Sequence, residues 1–428
     1  MGRRVVVVGA GLGGLATAVG LQQQDVEVVV LEARGRVGGR VRTWSENGHR
    51  ADLGAERVDG DHRRVRALAD RHAVPLVPVG QDTASLDDLV VFDGVIRTAA
   101  EVDQGSIGAE VERVAEHLSA LAGQLPRLDD PTTHPDAASL DGRSVEDLLD
   151  DLATVGDARR IVEQDVRGNA AAEPGQLSLL GWVHDVAVAE AKPPAQVESH
   201  RLRGGAQRLA EGLSGQLSTP VHLATAARAI DLHDAGVRVT TDQGRFDADA
   251  VVLAVPPPAV RQLRFGGNVP AVIEQLAQLA LGDITKRLLA FDTPVWRESG
   301  CSGNALIEPA GFATWEAHTP EVLIAYAGGR AARRLATMPL AELLAALPPA
   351  WRAGRPPEEI HTAHWGSERE TGGAWNAPAP GQVRATWQLL RRPHGRLHLA
   401  GEHTAARHGG FMEGALESAE RVVSELTG

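Results

Sequence analysis

Val5 to Val8 is an unbroken run of β-branched residues, the mark of a strand buried on both faces. It runs into Gly9-x-Gly11-x-x-Gly14, and Leu12, Leu15, Ala16 and Val19 then recur at helical spacing. A second apolar run, Val26 to Leu31, ends in Glu32. Strand, glycine turn, helix and strand in this order predict a βαβ unit. Farther along, Val65, Leu68 and Ala69 predict a helix over 61–72, and Ile107, Val111, Val114, Leu118 and Leu121 a long amphipathic one. A polar loop is expected over 131–142, a helix from Ser144 to Leu152, and a strand from His222 to Ile230. Val237-x-Val239 alternates into an Asp242-Gln-Gly244 turn and a paired strand over 246–248. Ala250 to Val255 is again wholly apolar and is stopped by three prolines. A strand over 396–400 precedes a final helix whose inward face is Met412, Ala415, Leu416, Ala419, Val422, Val423 and Leu426.

The glycine turn changes the picture from structure to chemistry. Gly9 permits a tight turn, Gly11 lets the backbone approach a pyrophosphate, and Gly14 lets helix and strand pack closely. The helix amino terminus adds N–H donors and partial positive charge. Glu32 stands where a carboxylate binds the hydroxyls of an adenosine ribose. Arg3-Arg4 before an apolar stretch imitates a signal peptide, but the glycines weaken such a segment and no small-residue cleavage site follows. Met1-Gly2 imitates a myristoylation start, yet Val6 stands where Ser or Thr is required.

At 428 residues the chain is long enough for two domains. A net charge of -13 argues against nucleic acid or an anionic membrane as partner. The single cysteine, Cys301, cannot form an internal disulfide, which points to a reducing, cytoplasmic compartment. With no run long enough to span a bilayer and an end at Gly428 after the last helix, a soluble protein is expected. His361-x-x-His364 stands alone and no Cys/His ligand spacing occurs, so no metal is expected. Only two of the 43 basic residues are lysines, Lys192 and Lys286, which singles both out.

Beyond Glu32, Arg34-Gly-Arg-Val-Gly-Gly-Arg40 replaces the helix an NAD-binding unit would have. Its arginines suit a grip on the far side of a pyrophosphate. With Glu32-Ala-Arg, Gly38-Gly-Arg40, Asp52-Leu-Gly-Ala-Glu56, Leu399-Ala-Gly-Glu-His-Thr404 and Gly409-Gly-Phe-Met-Glu-Gly-Ala415, the chain resembles the flavin amine oxidase superfamily over nearly its whole length. That superfamily includes monoamine, polyamine and L-amino-acid oxidases.

The resemblance implies an α/β fold, a Rossmann-like FAD-binding domain with a mixed α/β substrate-binding domain inserted. The FAD domain would comprise 1–78, 200–275 and 368–428, and the substrate domain 79–199 and 276–367. Contacts to FAD would come from Gly9, Gly11, Leu12, Gly13, Gly14, Glu32, Ala33, Arg34, Gly39, Arg40, Gly54, Ala55, Glu56, Ala227, Gly401, Glu402, Phe411, Met412 and Ala415. Lys286, a lysine inside an apolar run that ends in Phe291 and Pro294-Val-Trp296, would hold a water against the flavin. Trp375 and Phe411 would be the walls of an aromatic cage, and the last helix would direct its amino terminus at the flavin ring. Ala374 stands where monoamine oxidases carry the cysteine that attaches flavin, so FAD should be non-covalent. Both walls are tyrosine in those relatives, which puts simple monoamine specificity in doubt.

Arg57 would grip a substrate carboxylate as in L-amino-acid oxidases, or else pair with Glu56 or Asp59. Glu56 would orient an amine or take a proton. Trp182 and His184 fit core packing better than a pocket, and Arg330 fits capping or surface pairing. The activity implied is hydride removal from the carbon next to an amine or amide nitrogen, giving an imine, with O2 reduced to hydrogen peroxide. Other readings stay open: a secondary-metabolite oxidase whose imine is captured intramolecularly, an L-amino-acid oxidase, a carotenoid- or porphyrinogen-type dehydrogenase, and a flavin-bound regulatory protein. The partners expected are a small amine, amino acid or amide and O2, with a homodimer left open.

Overall fold

The computed structural model describes residues 3–352 and 356–428. Met1-Gly2, with its myristoylation-like start, and residues 353–355 of the proline-rich stretch lie outside them.

A four-stranded parallel sheet is assembled from distant pieces in the order Glu27–Leu31, Arg4–Val8, Ala250–Leu253, Leu397–Leu399. Because side chains alternate across a strand, Val5, Val7, Ala250 and Val252 pack on one face and Val6, Val8, Val251 and Leu253 on the other. The first face is covered by the helices Leu12–Gln22 and Met412–Thr427, so the two ends of the chain share one core. The second face is covered by a four-stranded sheet that includes Ala227–His233, Gly236–Thr241 and Gly244–Ala248. This explains why the sheet strands are apolar throughout.

A seven-stranded sheet follows the order Glu358–His364, Ile284–Ala290, Val322–Gly328, Phe312–Glu316, Cys301–Glu308, Asp87–Phe92, Val95–Thr98. Ile284–Ala290 is paired on both sides. The helices Ser106–Ala122, Gly156–Ala170 and Leu179–Glu190 form a separate apolar cluster, with Val114, Leu118, Val162, Val166, Leu180 and Val183 inside it. Trp182 belongs to that cluster, and His184 is buried with Nε2 2.9 Å from Leu128 O.

Two expected elements are corrected. The stretch 131–142 is not a plain polar loop, because Asp130 caps the turn Pro131–Thr133 and buried Ala137 and Leu140 carry a short helix, Ala137–Asp141. The strand expected from His222 begins at Ala227, and His222 makes only an isolated bridge to Leu31. Among the described residues no helix is long and apolar enough to cross a membrane.

Candidate active site

The glycine turn opens onto a long cleft. Gly9 has φ +106°, and its N–H donates to Leu31 O at 2.8 Å, tying turn to second strand. A Cβ on Gly11 would meet no protein atom within 4 Å, so its backbone borders open space. A Cβ on Gly14 would lie 2.0 Å from Gly9 O. Gly14 therefore does not line the cleft as expected of a cofactor contact; its small size serves the packing of helix on turn.

The cleft encloses about 1730 Å³ of space, its open mouth included, and is lined by Gly9, Gly11, Leu12, Gly13, Glu32, Ala33, Arg34, Gly39, Arg40, Gly54, Ala55, Ala227, Trp375, Gly401, Glu402, Phe411, Met412 and Ala415. Val255, Ile284, Gln262 and Thr371 line it as well and carry no motif that would have announced them. The Glu32 carboxylate is fixed by two backbone donors, Ala10 N–H and Arg34 N–H, each at 2.9 Å. Its remaining lone pairs can still accept hydroxyls. This donor set fits an adenine dinucleotide: a carboxylate for the ribose, an unobstructed glycine backbone, and a helix amino terminus.

The two expected pyrophosphate arginines are already paired. Arg34 lies 3.3 Å from Glu368 and 3.6 Å from Glu370. Arg40 donates to Glu402 Oε1 at 2.8 Å and to Ala374 O. Glu402 Oε2 in turn accepts from Gly410 N–H at 2.8 Å. Arg40 and Glu402 thus tie the amino-terminal turn to the carboxy-terminal segment. A Cβ on Gly410 would touch the Trp375 indole at 3.1 Å, so wall and glycine pair are in contact. Trp375 Nε1 donates to Asn169 O at 3.1 Å, and Phe411 is 37 % exposed at the start of the final helix.

Lys286 and Glu56 do not line this cleft; they form a buried cluster next to it. Lys286 Nζ donates to Asp52 O at 3.0 Å, Gly54 O at 3.1 Å and Glu56 Oε2 at 2.9 Å. An ammonium has three donors, so none is left for the water expected of Lys286. Glu56 Oε2 also takes the Trp315 indole N–H at 3.4 Å, while Oε1 has no hydrogen-bond partner and lies 3.9 Å from Arg57 and 3.8 Å from Arg201. Burial alone would push the Glu56 carboxyl up, but Lys286, with Arg57 and Arg201, brings it down to about 2. An anion so stabilised is a poor proton acceptor, which removes the base role and leaves that of an orienting charge. Arg57 is held between Glu56 and the Trp315 ring, 5.8 Å from its centroid. Asp59 is occupied elsewhere, by Lys192 at 3.2 Å. Arg330 pairs with Glu173 at 2.9 Å at the surface.

Asp61, His62 and His408 bring ligand-type atoms within 4.8 Å of one another. The Lys192 ammonium lies 3.4 Å from Asp61 Oδ1, so the cation this cluster accommodates is a lysine.

The chain matches the family of flavin-containing amine oxidoreductases over residues 12–427. It is 31 % identical to a Mycobacterium tuberculosis protein named "Putative flavin-containing monoamine oxidase AofH", covering 99 % of this chain and 96 % of that one. An L-amino acid dehydrogenase of Synechocystis is 27 % identical, over 99 % of this chain and 94 % of that protein. The fold is similar to that of cyclohexylamine oxidase from Brevibacterium oxydans, with a TM-score of 0.89 at 24 % identity over 100 % of this chain and 99 % of that one.

Proposed function

This chain belongs to the flavin-containing amine oxidoreductase family, and from that premise we propose that it removes a hydride from the carbon bearing an amine nitrogen, leaving an imine. The cofactor in this reading is FAD, held without a covalent link, and O2 is reduced to hydrogen peroxide. The observation that carries it is the continuity of one cleft from Glu32, fit for a ribose, to Trp375 and Phe411, fit for an amine.

Bound FAD supplies the hydride acceptor and passes the electron pair on to oxygen. The residues supply the rest. The turn from Gly9 to Gly13 and the helix behind it hold the pyrophosphate, and Glu32 holds the ribose. The amino terminus of Met412–Thr427 favours negative charge on the ring. Trp375 and Phe411 offer aromatic faces to the amine and exclude water. Ala374, 2 % exposed, offers no thiol for attachment. Lys286 and Glu56 fix the charge beside the ring. In this reading segments 1–78, 200–275 and 368–428 bind FAD, the intervening ones bind substrate, and the protein works in the cytoplasm.

A second reading, oxidation of α-amino acids, is favoured by Arg57, whose side chain is only 19 % exposed in the cluster beside the cleft. Peroxide release across a panel of primary amines and α-amino acids tests both readings. Turnover of amines supports the first, turnover confined to amino acids the second, and none with any compound refutes both.

A further inference from the structure

Lys192, one of the two lysines, is buried just past the end of Leu179–Glu190. Its Nζ lies 3.2 Å from Asp59 Oδ2 and 3.4 Å from Asp61 Oδ1, and donates to Val188 O at 3.2 Å. Asp61 Oδ2 lies 3.3 Å from His408 Nε2, and His408 O accepts the Phe411 N–H at 3.2 Å. Among these groups stands His62, wholly buried. Its ring meets that of His408 edge-on, with centroids 5.2 Å apart, and that of Phe411 at the same distance. Three separate segments therefore converge beside Phe411: the end of a helix of the helical region, residues 59–62 and residues 408–411.

The hydrogen-bond pattern fixes the charge of His62. Nδ1 accepts the Asp59 backbone N–H at 3.1 Å, so it carries no proton, and a cationic ring would have to give that bond up. The single ring proton belongs to Nε2, which has no hydrogen-bond partner among the described residues. Asp59 Oδ2, 3.8 Å away, is near enough to draw a second proton onto the ring but faces Lys192 instead. Asp59 Oδ1 accepts the Glu198 N–H at 2.8 Å. The titratable and charged groups around the imidazole are thus Asp59 and Asp61 on its own segment, His408 with Glu417 beyond it, and Lys192. Glu413 of the last helix is spent on the Arg64 and Val65 N–H groups. Burial first, and then His408 and Lys192 against Asp59 and Asp61, bring the imidazole down to about 4.

We propose that Lys192 and His62 are positioning residues for the Phe411 wall and so set how tightly the amine binds. The inference rests on the amine-oxidation reading above. Lys192 keeps the two aspartates turned from the imidazole, and the neutral ring holds Phe411 through its edge contact. Without the ammonium, Asp59 Oδ2 is left unpaired inside the protein and turns to the Nε2–H, which raises the affinity of the ring for a second proton. An imidazolium beside Phe411 then competes with a protonated amine for that aromatic ring.

Pentylamine and benzylamine, mixed anaerobically with the FAD-loaded protein, give an amine Kd and a limiting rate of flavin bleaching. His62→Gln keeps an acceptor for the Asp59 N–H but removes the ring, and should weaken the Kd about three- to tenfold with the limiting rate unchanged. Lys192→Met should weaken it too, by a ratio to the parent that grows as pH falls from about 8 to about 6. Lys192→Arg keeps the cation and should keep the parent Kd and pH profile. Adding His62→Gln to Lys192→Met should abolish the extra pH dependence. A second readout needs neither amine nor flavin: in protein carrying labelled histidine, the His62 resonances, identified by their loss in His62→Gln, should titrate over that pH range in Lys192→Met and not in the parent. An unchanged Kd in His62→Gln would overturn this inference alone, and that variant leaves the Lys192–Asp59 pair in place should Lys192→Met not fold. A fall in limiting rate without a change in Kd, or a His62 that titrates over that range in the parent, would also overturn it. Bleaching of the parent by neither amine would overturn the amine-oxidation reading, and this one with it.

Discussion

Glu56 accepts a 2.9 Å hydrogen bond from Lys286, and both side chains are buried, at 5 % and 3 % exposure. Removing one partner of such a pair leaves an uncompensated charge, which typically costs about 3–5 kcal/mol. Glu56→Gln should therefore lower stability by that order, seen as an earlier midpoint in denaturant with an unchanged slope. Lys286→Met strips Glu56 of the ammonium that holds its charge and should lower stability by the same order, seen in the same denaturation experiment.

Stability should fall at acid pH. Glu56 is held near 2 against an ordinary value of 4.5, so its contribution is present above about 4.5 and is lost as pH falls toward 2. Chemical denaturation at several pH values checks this.

Gly11 and Gly14 should fail differently. A methyl on Gly14 collides with Gly9 O, so Gly14→Ala should destabilise the flavin-free protein by about 1–3 kcal/mol or more. A methyl on Gly11 meets only open space, so Gly11→Ala should leave the flavin-free melting temperature nearly unchanged and weaken FAD binding. Melting curves with and without FAD distinguish the two.

Much of the cofactor side was legible because its signals are local. The valine run, the glycine turn and Glu32 fall within one stretch, and Met412 and Ala415 follow a glycine pair in another. The substrate side was not. Lys286 stood out as a buried lysine, but the carboxylate that meets it lies 230 residues away, and no periodicity encodes such a contact. Asp130 and Leu140 show why the stretch 131–142 misled: a cap and one buried leucine are enough to form a turn and a short helix amid polar residues.

Arg57→Ala should separate the two substrate classes. Oxidation of α-amino acids, if present, should fall by about tenfold or more through loss of a charge-assisted contact, whereas oxidation of simple amines should persist. Equal loss for both would assign Arg57 to the Glu56 cluster instead.

The most direct measurement is spectroscopic. The chain is loaded with FAD, freed of excess and mixed anaerobically with a primary amine, after which air is admitted. Loss of the oxidised flavin absorbance with the amine and its return with oxygen, followed on denaturation by release of all the flavin from the polypeptide, is the predicted result. A protein that takes up no flavin, or whose flavin no amine bleaches, would contradict the account.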